Sequence, residues 1–124
     1  MTLEFRDSAA CKEAGITYHM ALASEWEAQR GEHTYTPSAF AADGFIHCTN
    51  GLDLLEWVGN QFYTNSPDER TVLVMKTDAI TSDVRYDDPD ENFPHIYGPI
   101  NTAAVIGELK VIRGEDGAFT HIGS

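Results

Sequence analysis

Apolar and polar positions alternate most clearly in Ile16-Thr17-Tyr18-His19-Met20. Ile16, Tyr18 and Met20 fall on one face and Thr17 and His19 on the other, the two-residue period of a strand. Residues 71–77, TVLVMKT, form a near-continuous apolar run of strand length. Such a run predicts a central strand buried on both faces. Residues 105–113 alternate again; GEDG then turns, and AFTHI pairs back as a hairpin. The best helical pattern is 49–63, where Leu52, Leu55, Val58 and Phe62 recur at helical spacing. Thr49 or Asn50 is its expected cap.

Shorter elements follow from start and stop signals. Ser24 and Glu27 form a capping-box pattern, and Gly31 ends that helix. Thr36 caps a second short helix with Pro37 at its first position, and Gly44 closes it. GFIHC (44–48) reads as a short strand and DVRY (83–86) as a weaker one. TNSPDER and the acidic DDPDEN are loops by composition. FPHIYGP (93–99) holds two prolines and a glycine, so a rigid, irregular backbone is expected. Residues 1–14 are mixed and read as a ragged or edge segment. The sum is an α+β chain with its helices in the N-terminal half, expected as one domain over 1–124. Regular β-α-β alternation is missing, which argues against a doubly wound nucleotide-binding fold.

Composition narrows the function classes. The chain has 124 residues, is 42% hydrophobic and carries a net charge of -12. That fraction suits a globular core rather than disorder. The acidic charge argues against general nucleic-acid binding, which draws on Lys and Arg. No apolar run reaches membrane-spanning length, and residues 1–15 lack a secretory pattern, so the cytoplasm is the expected location. Cys11 and Cys48 are too few for a disulfide scaffold and are expected as free thiols. Phosphate-binding glycine loops and nucleophile-elbow motifs are absent.

The candidate chemistry is histidine chemistry. His33 lies in a polar loop and His121 near the C-terminus, so both read as surface residues. His19, His47 and His95 each sit inside an apolar motif. A histidine so placed is a bonded core residue, a pocket wall that orients a polar ligand, or a metal ligand. Cys48 neighbours His47, but adjacent strand residues point to opposite faces, so Cys48 is expected to pack in the core. Tyr97 shares the stiff loop with His95. A carboxylate from Asp87, Asp88, Asp90 or Glu91 is a candidate to enter the pocket.

Three segments, ITYHM...EW, YTPSAFAADGFIHCT and FPHIYGPI..AAV, resemble a bacterial family catalogued as domain of unknown function 952. The resemblance runs from about residue 16 to about residue 120. Some members are labelled glutathione S-transferase domain proteins, yet no thioredoxin-like half is visible here. The family is similar by fold to ADP-ribosyltransferases and tRNA 2′-phosphotransferases. That relation implies a split, bent, mixed or antiparallel sheet around a cleft for NAD, ADP-ribose or a related phosphorylated nucleotide. It implies catalytic roles for His19 and His47 and ligand contacts from Gly44 and Thr49; the stiff FPHIYGP loop adds His95 as a catalytic candidate and Tyr97 as a ligand contact. Thr49 would open a helix whose free N–H groups suit a phosphate. A catalytic acid is expected among Asp87, Glu91 and Glu108. The alternatives are a non-catalytic metabolite-binding protein and a metal-dependent hydrolase or isomerase using the three histidines.

Overall fold

A computed structural model describes residues 3–124. Four helices occupy the N-terminal half: α1 Ser8–Glu13, α2 Ala23–Gln29, α3 Phe40–Asp43 and α4 Leu52–Phe62. Among the described residues there are also two short 3-10 turns, Thr77–Ala79 and Thr102–Ala104, and nine strands: β1 Ile16–Leu22, β2 Thr34–Tyr35, β3 Ile46–His47, β4 Arg70–Lys76, β5 Val84–Tyr86, β6 Pro94–Ile96, β7 Ile100–Asn101, β8 Val105–Arg113 and β9 Phe119–Gly123. They form a four-stranded sheet β1-β4-β8-β9, a three-stranded sheet β3-β6-β5 and a two-stranded β2-β7 pair. Every one of these pairings is antiparallel. The architecture is therefore α+β.

The central strand β4 shows why its run is apolar. Val72 and Val74 enter one hydrophobic cluster with Tyr18, Leu52, Leu55, Phe119 and Ile122. Leu73 and Met75 enter a second cluster on the other face, with Trp26, Tyr35, Ile46 and Ile96. β1 splits the same way, with Ile16, Tyr18 and Met20 in the first cluster. His19 pairs with Leu73 across the ladder, which puts it on the second face. A backbone bridge between Tyr18 and Thr49 ties β1 to the segment after β3.

Several local expectations give way to tertiary contacts. Residues 1–14 are not ragged where described: Asp7 caps α1 by accepting from the Ala10 N–H at 3.0 Å. The Tyr18 hydroxyl donates to the Leu3 carbonyl and accepts from the Phe5 N–H, at 2.6 and 2.8 Å, and so anchors that segment. The Ser24–Glu27 capping box does not form, because α2 starts at Ala23 directly off β1 and takes Ser24 inside it. α3 starts at Phe40, later than Thr36 and Pro37, though Gly44 closes it in the left-handed region at φ 79°. The 44–48 strand shortens to Ile46–His47. FPHIYGP is not irregular loop throughout: Pro94–Ile96 is the middle strand of the three-stranded sheet, with Pro94 at its first position, where a missing N–H is tolerated.

The largest revision concerns α4. Neither Thr49 nor Asn50 caps it; the N-cap is Gly51 at φ 110°, a conformation that favours glycine. The Leu52 and Asp53 N–H groups donate to the Phe5 and Arg6 carbonyls. Those donors are thus occupied by the chain itself and are not free for a phosphate. Phe62 also leaves the apolar stripe and is 70% exposed, while Gly59 lies against the Phe119 ring.

Candidate functional site

A cavity of about 210 Å³ lies where β1, α2, β3 and α4 meet, and His19 and His47 both line it. His19 is buried. Its Nδ1 donates to the His47 carbonyl at 2.7 Å, which can only accept. The opposite nitrogen, Nε2, therefore accepts from the Tyr35 hydroxyl at 2.9 Å. Burial pushes the His19 pKa down to about 4, partly opposed by the bond to His47. The ring is neutral, and its tautomer is set by its two partners. Burial also raises the Tyr35 phenol.

Three charged groups that sequence reasoning missed line the same cavity, Glu25 from α2, Asp43 from α3 and Arg70 from β4. Glu25 Oε1 accepts from the Ser38 N–H at 3.2 Å. The Arg70 guanidinium lies 4.0 Å over the Tyr63 ring, and its buried Nε has no hydrogen-bond partner. Glu25 stood in the ITYHM...EW motif, so a signal for it existed. Arg70 had none, because it lies in a segment that reads as loop followed by strand.

His95 and Tyr97 do not line this cavity. They sit on the outer face of the β3-β6-β5 sheet, where His47 is the direct register partner of His95. The His95 Nδ1–H donates to Asp87 Oδ2 at 2.7 Å, and the Tyr97 hydroxyl donates to the same oxygen at 2.8 Å. The Tyr97 and His95 bonds together hold the Asp87 carboxyl below its usual range. The bond to Asp87 in turn raises the Tyr97 phenol. Phe45 stacks on His95 with ring centres 4.0 Å apart and lines the cavity on its other side. His47 is thus common to the cavity and the outer face, while His19 belongs only to the first.

The remaining candidates separate further. Thr49 is buried beside the cavity, with its backbone spent on the Tyr18 bridge. Gly44 does not line the cavity; its role is the left-handed turn that closes α3. Among the three proposed acids, Asp87 serves His95 and Tyr97, and Glu91 sits exposed in a loop at φ 55°. Glu108 pairs with Arg30 at 2.8 Å. None of the three lines the cavity. The three-histidine metal set does not assemble, since both His19 nitrogens are already bonded. Among the described residues, no group of three or more His, Cys, Asp or Glu is arranged to hold a metal ion. Cys48 is buried in the core, and burial alone raises its thiol pKa. Cys11 is also free, pushed up to about 11 by burial.

The family model described as Protein of unknown function (DUF952) matches residues 20–108. The chain belongs to this family. The matched span of the DUF952 protein includes His47, His95, Tyr97, Glu25 and Arg70, and begins one residue after His19. Similar solved structures are those of protein CC0527 from Caulobacter crescentus. Its crystal structures, one of them a double mutant, superpose with TM-score 0.70 at 19% identity, covering 85% of this chain and 93% of that one. Its solution NMR structure gives TM-score 0.64 at 19% identity, covering 86% and 92%. At this identity the likeness is one of fold. No curated protein matches the chain. No helix among the described residues is long and apolar enough to cross a membrane.

The neutral state of His19 makes stability depend on pH. With a folded pKa of about 4 against the ordinary 6.5 of histidine, the unfolded chain binds the extra proton first as pH falls. The stability His19 provides is therefore full above pH 6.5 and is lost as pH falls towards 4. The span corresponds to about 3 kcal/mol. Urea titrations at pH 7 and pH 4.5 check this: the loss should be smaller in H19Q by most of that amount. Equal losses in the two proteins would show that His19 is not the group.

Proposed function

We propose that the DUF952 protein binds a nucleotide-like ligand of the NAD or ADP-ribose class in the His19 cavity, on a fold related to the ADP-ribosyltransferases. The observation that carries the reading is the convergence of His19, Glu25, Asp43, His47 and Arg70 on one small space. His19, neutral and held on both sides, forms the floor; Glu25, Arg70 and His47 stand at the sides. Arg70 suits an anionic group, Glu25 suits ribose hydroxyls or an electron-poor ribosyl carbon, and Phe45 offers a ring to stack on. The space is smaller than the roughly 300–1,000 Å³ of a drug-sized site, so one moiety enters and the rest lies along the rim.

Thermal unfolding titrated with NAD and with ADP-ribose tests the reading. A ligand at 100 times its dissociation constant stabilises by about 2.7 kcal/mol, a shift of several degrees. The double variant H47A/R70M should lose that shift. Absence of a shift with either nucleotide in the wild-type chain would sink the proposal.

A second reading, binding without turnover, is favoured by one observation: Asp87, Glu91 and Glu108 all lie outside the cavity. The acids that line the cavity are then Glu25 and Asp43, and Asp43 is bonded to His47 Nε2 at 3.1 Å, which leaves Glu25 the better placed to stabilise a ribosyl cation. Mass spectrometry of the protein with bound nucleotide separates the readings. A changed nucleotide mass that disappears in E25Q means an enzyme; an unchanged mass means a binding protein.

A further inference from the structure

The outer face of the β3-β6-β5 sheet brings together groups that the cavity uses only in part: His47, Asp43 and Phe45 line the cavity, whereas His95, Tyr97 and Asp87 do not. His47 and His95 are directly opposite on antiparallel strands, so their side chains rise from the same face. Their ring centres are 5.6 Å apart, with planes at 76°. Each ring has one nitrogen committed to a carboxylate. His47 Nε2 meets Asp43 Oδ2 at 3.1 Å, and His95 Nδ1 meets Asp87 Oδ2 at 2.7 Å. A carboxylate accepts, so both of these nitrogens carry the hydrogen. Nδ1 of His47 and Nε2 of His95 are left as lone-pair donors, with no hydrogen-bond partner among the described residues.

We infer that His47 and His95 form a two-histidine site for a divalent transition-metal ion such as Zn²⁺, Ni²⁺ or Cu²⁺. Two imidazoles bonded to one tetrahedral ion at about 2.0–2.1 Å hold their ring centres roughly 5 Å apart, close to the separation present here. Imidazole is the side chain that suits these ions. Metal-ligating histidines almost always give their other N–H to a carboxylate, which sets the tautomer and raises basicity; Asp43 and Asp87 stand in that position. The Tyr97 hydroxyl then steadies Asp87 from outside. Phe45 packs against both rings, 4.0 Å from His95 and 4.7 Å from His47, and gives the pair an apolar wall. Two carboxylates, Asp43 and Asp87, flank the pair. The nearby cation Arg85, register partner of His95 on β5, is itself paired with Asp83 at 3.0 Å and lies over the Tyr97 ring. Among the described residues no third side chain completes the set, so the remaining positions go to water or an added ligand. The site is thus an open, exchangeable one, unlike the closed four-ligand sites of structural zinc.

Calorimetric titration of the full chain with Zn²⁺, and separately with Ni²⁺, tests the inference. The wild type should bind one equivalent, and H47A and H95A should each lose it. D87N should weaken binding 10–100-fold, the usual range for a partner of a ligating histidine. H33A/H121A removes the two exposed histidines elsewhere and should bind as the wild type does. His47 is exposed, so H47A is expected to fold; circular dichroism of each variant confirms that. Unchanged stoichiometric binding in the H47A/H95A double variant would overturn the inference, as would no binding by the wild type. The titrations contain no nucleotide, and the nucleotide titrations are run with chelator. Failure of one idea is therefore distinguishable from failure of the other.

Discussion

Replacing His19 with leucine is expected to lower the unfolding free energy by about 3–5 kcal/mol. The imidazole joins a fully buried hydroxyl to a part-buried carbonyl. The Tyr35 hydroxyl is fully buried, and the His47 carbonyl accepts the His19 Nδ1–H. Leucine fills much of the space but offers neither a donor nor an acceptor. Each orphaned buried polar group costs about 1–3 kcal/mol, which exceeds what an added apolar side chain returns at an already buried position. The double variant H19L/Y35F isolates one part of the loss. Removing the stranded hydroxyl should recover about 1 kcal/mol or more relative to H19L alone. Urea unfolding of the four proteins in the cycle measures it. Strict additivity of the two substitutions would show that the His19–Tyr35 bond carries no stability.

The second large effect is expected at Arg113. Its guanidinium donates to the carbonyls of Tyr63, Thr64, Ser66 and Gly117. Tyr63 is the C-cap of α4, so the cation also faces the negative end of that helix. The Phe119 ring lies 4.5 Å beneath the guanidinium. One side chain therefore fastens the β8–β9 hairpin to the end of α4. R113M keeps the stem and removes the donors. Hydrogen bonds to charged groups are worth about 1.5–3 kcal/mol each, and they are not additive at one group. A loss of about 3 kcal/mol is expected, with R113K recovering only part, because an ammonium lacks the planar fork. Guanidinium unfolding midpoints of the three proteins check the order. A midpoint for R113M equal to that of the wild type would remove the clamp from the account.

Legibility followed the range of the interaction. Periodicity found β1 with its two faces and β4 as a strand buried on both, it found β8 and its hairpin partner β9, and it placed the body of α4. A strand or helix shows its buried side within a few residues, since local geometry sets which side chains point together. The cap assignments failed where a distant segment supplied the partner. Phe5 and Arg6 carbonyls occupy the first N–H groups of α4, so neither Thr49 nor Asn50 is needed there. FPHIYGP reads as irregular because two prolines dominate a local scan; pairing with β3 and β5 on both sides makes its centre a strand.

The same division holds for the candidate site. The sequence alone determined the α+β class, the DUF952 resemblance and the three histidines in structured motifs. It also placed His19 on the strand face opposite Tyr18, since that follows from a two-residue period. The tertiary structure decided which of these residues meet. It set His47 across from His95 and gave His95 to Asp87, away from the His19 cavity. It brought in Glu25 and Arg70, and it spent the α4 N-terminus on the chain's own carbonyls. The physical reason is register. Pairing between segments far apart in the chain depends on how two whole hydrophobic faces are buried together, and a shift of one residue would send each of these side chains to the other face.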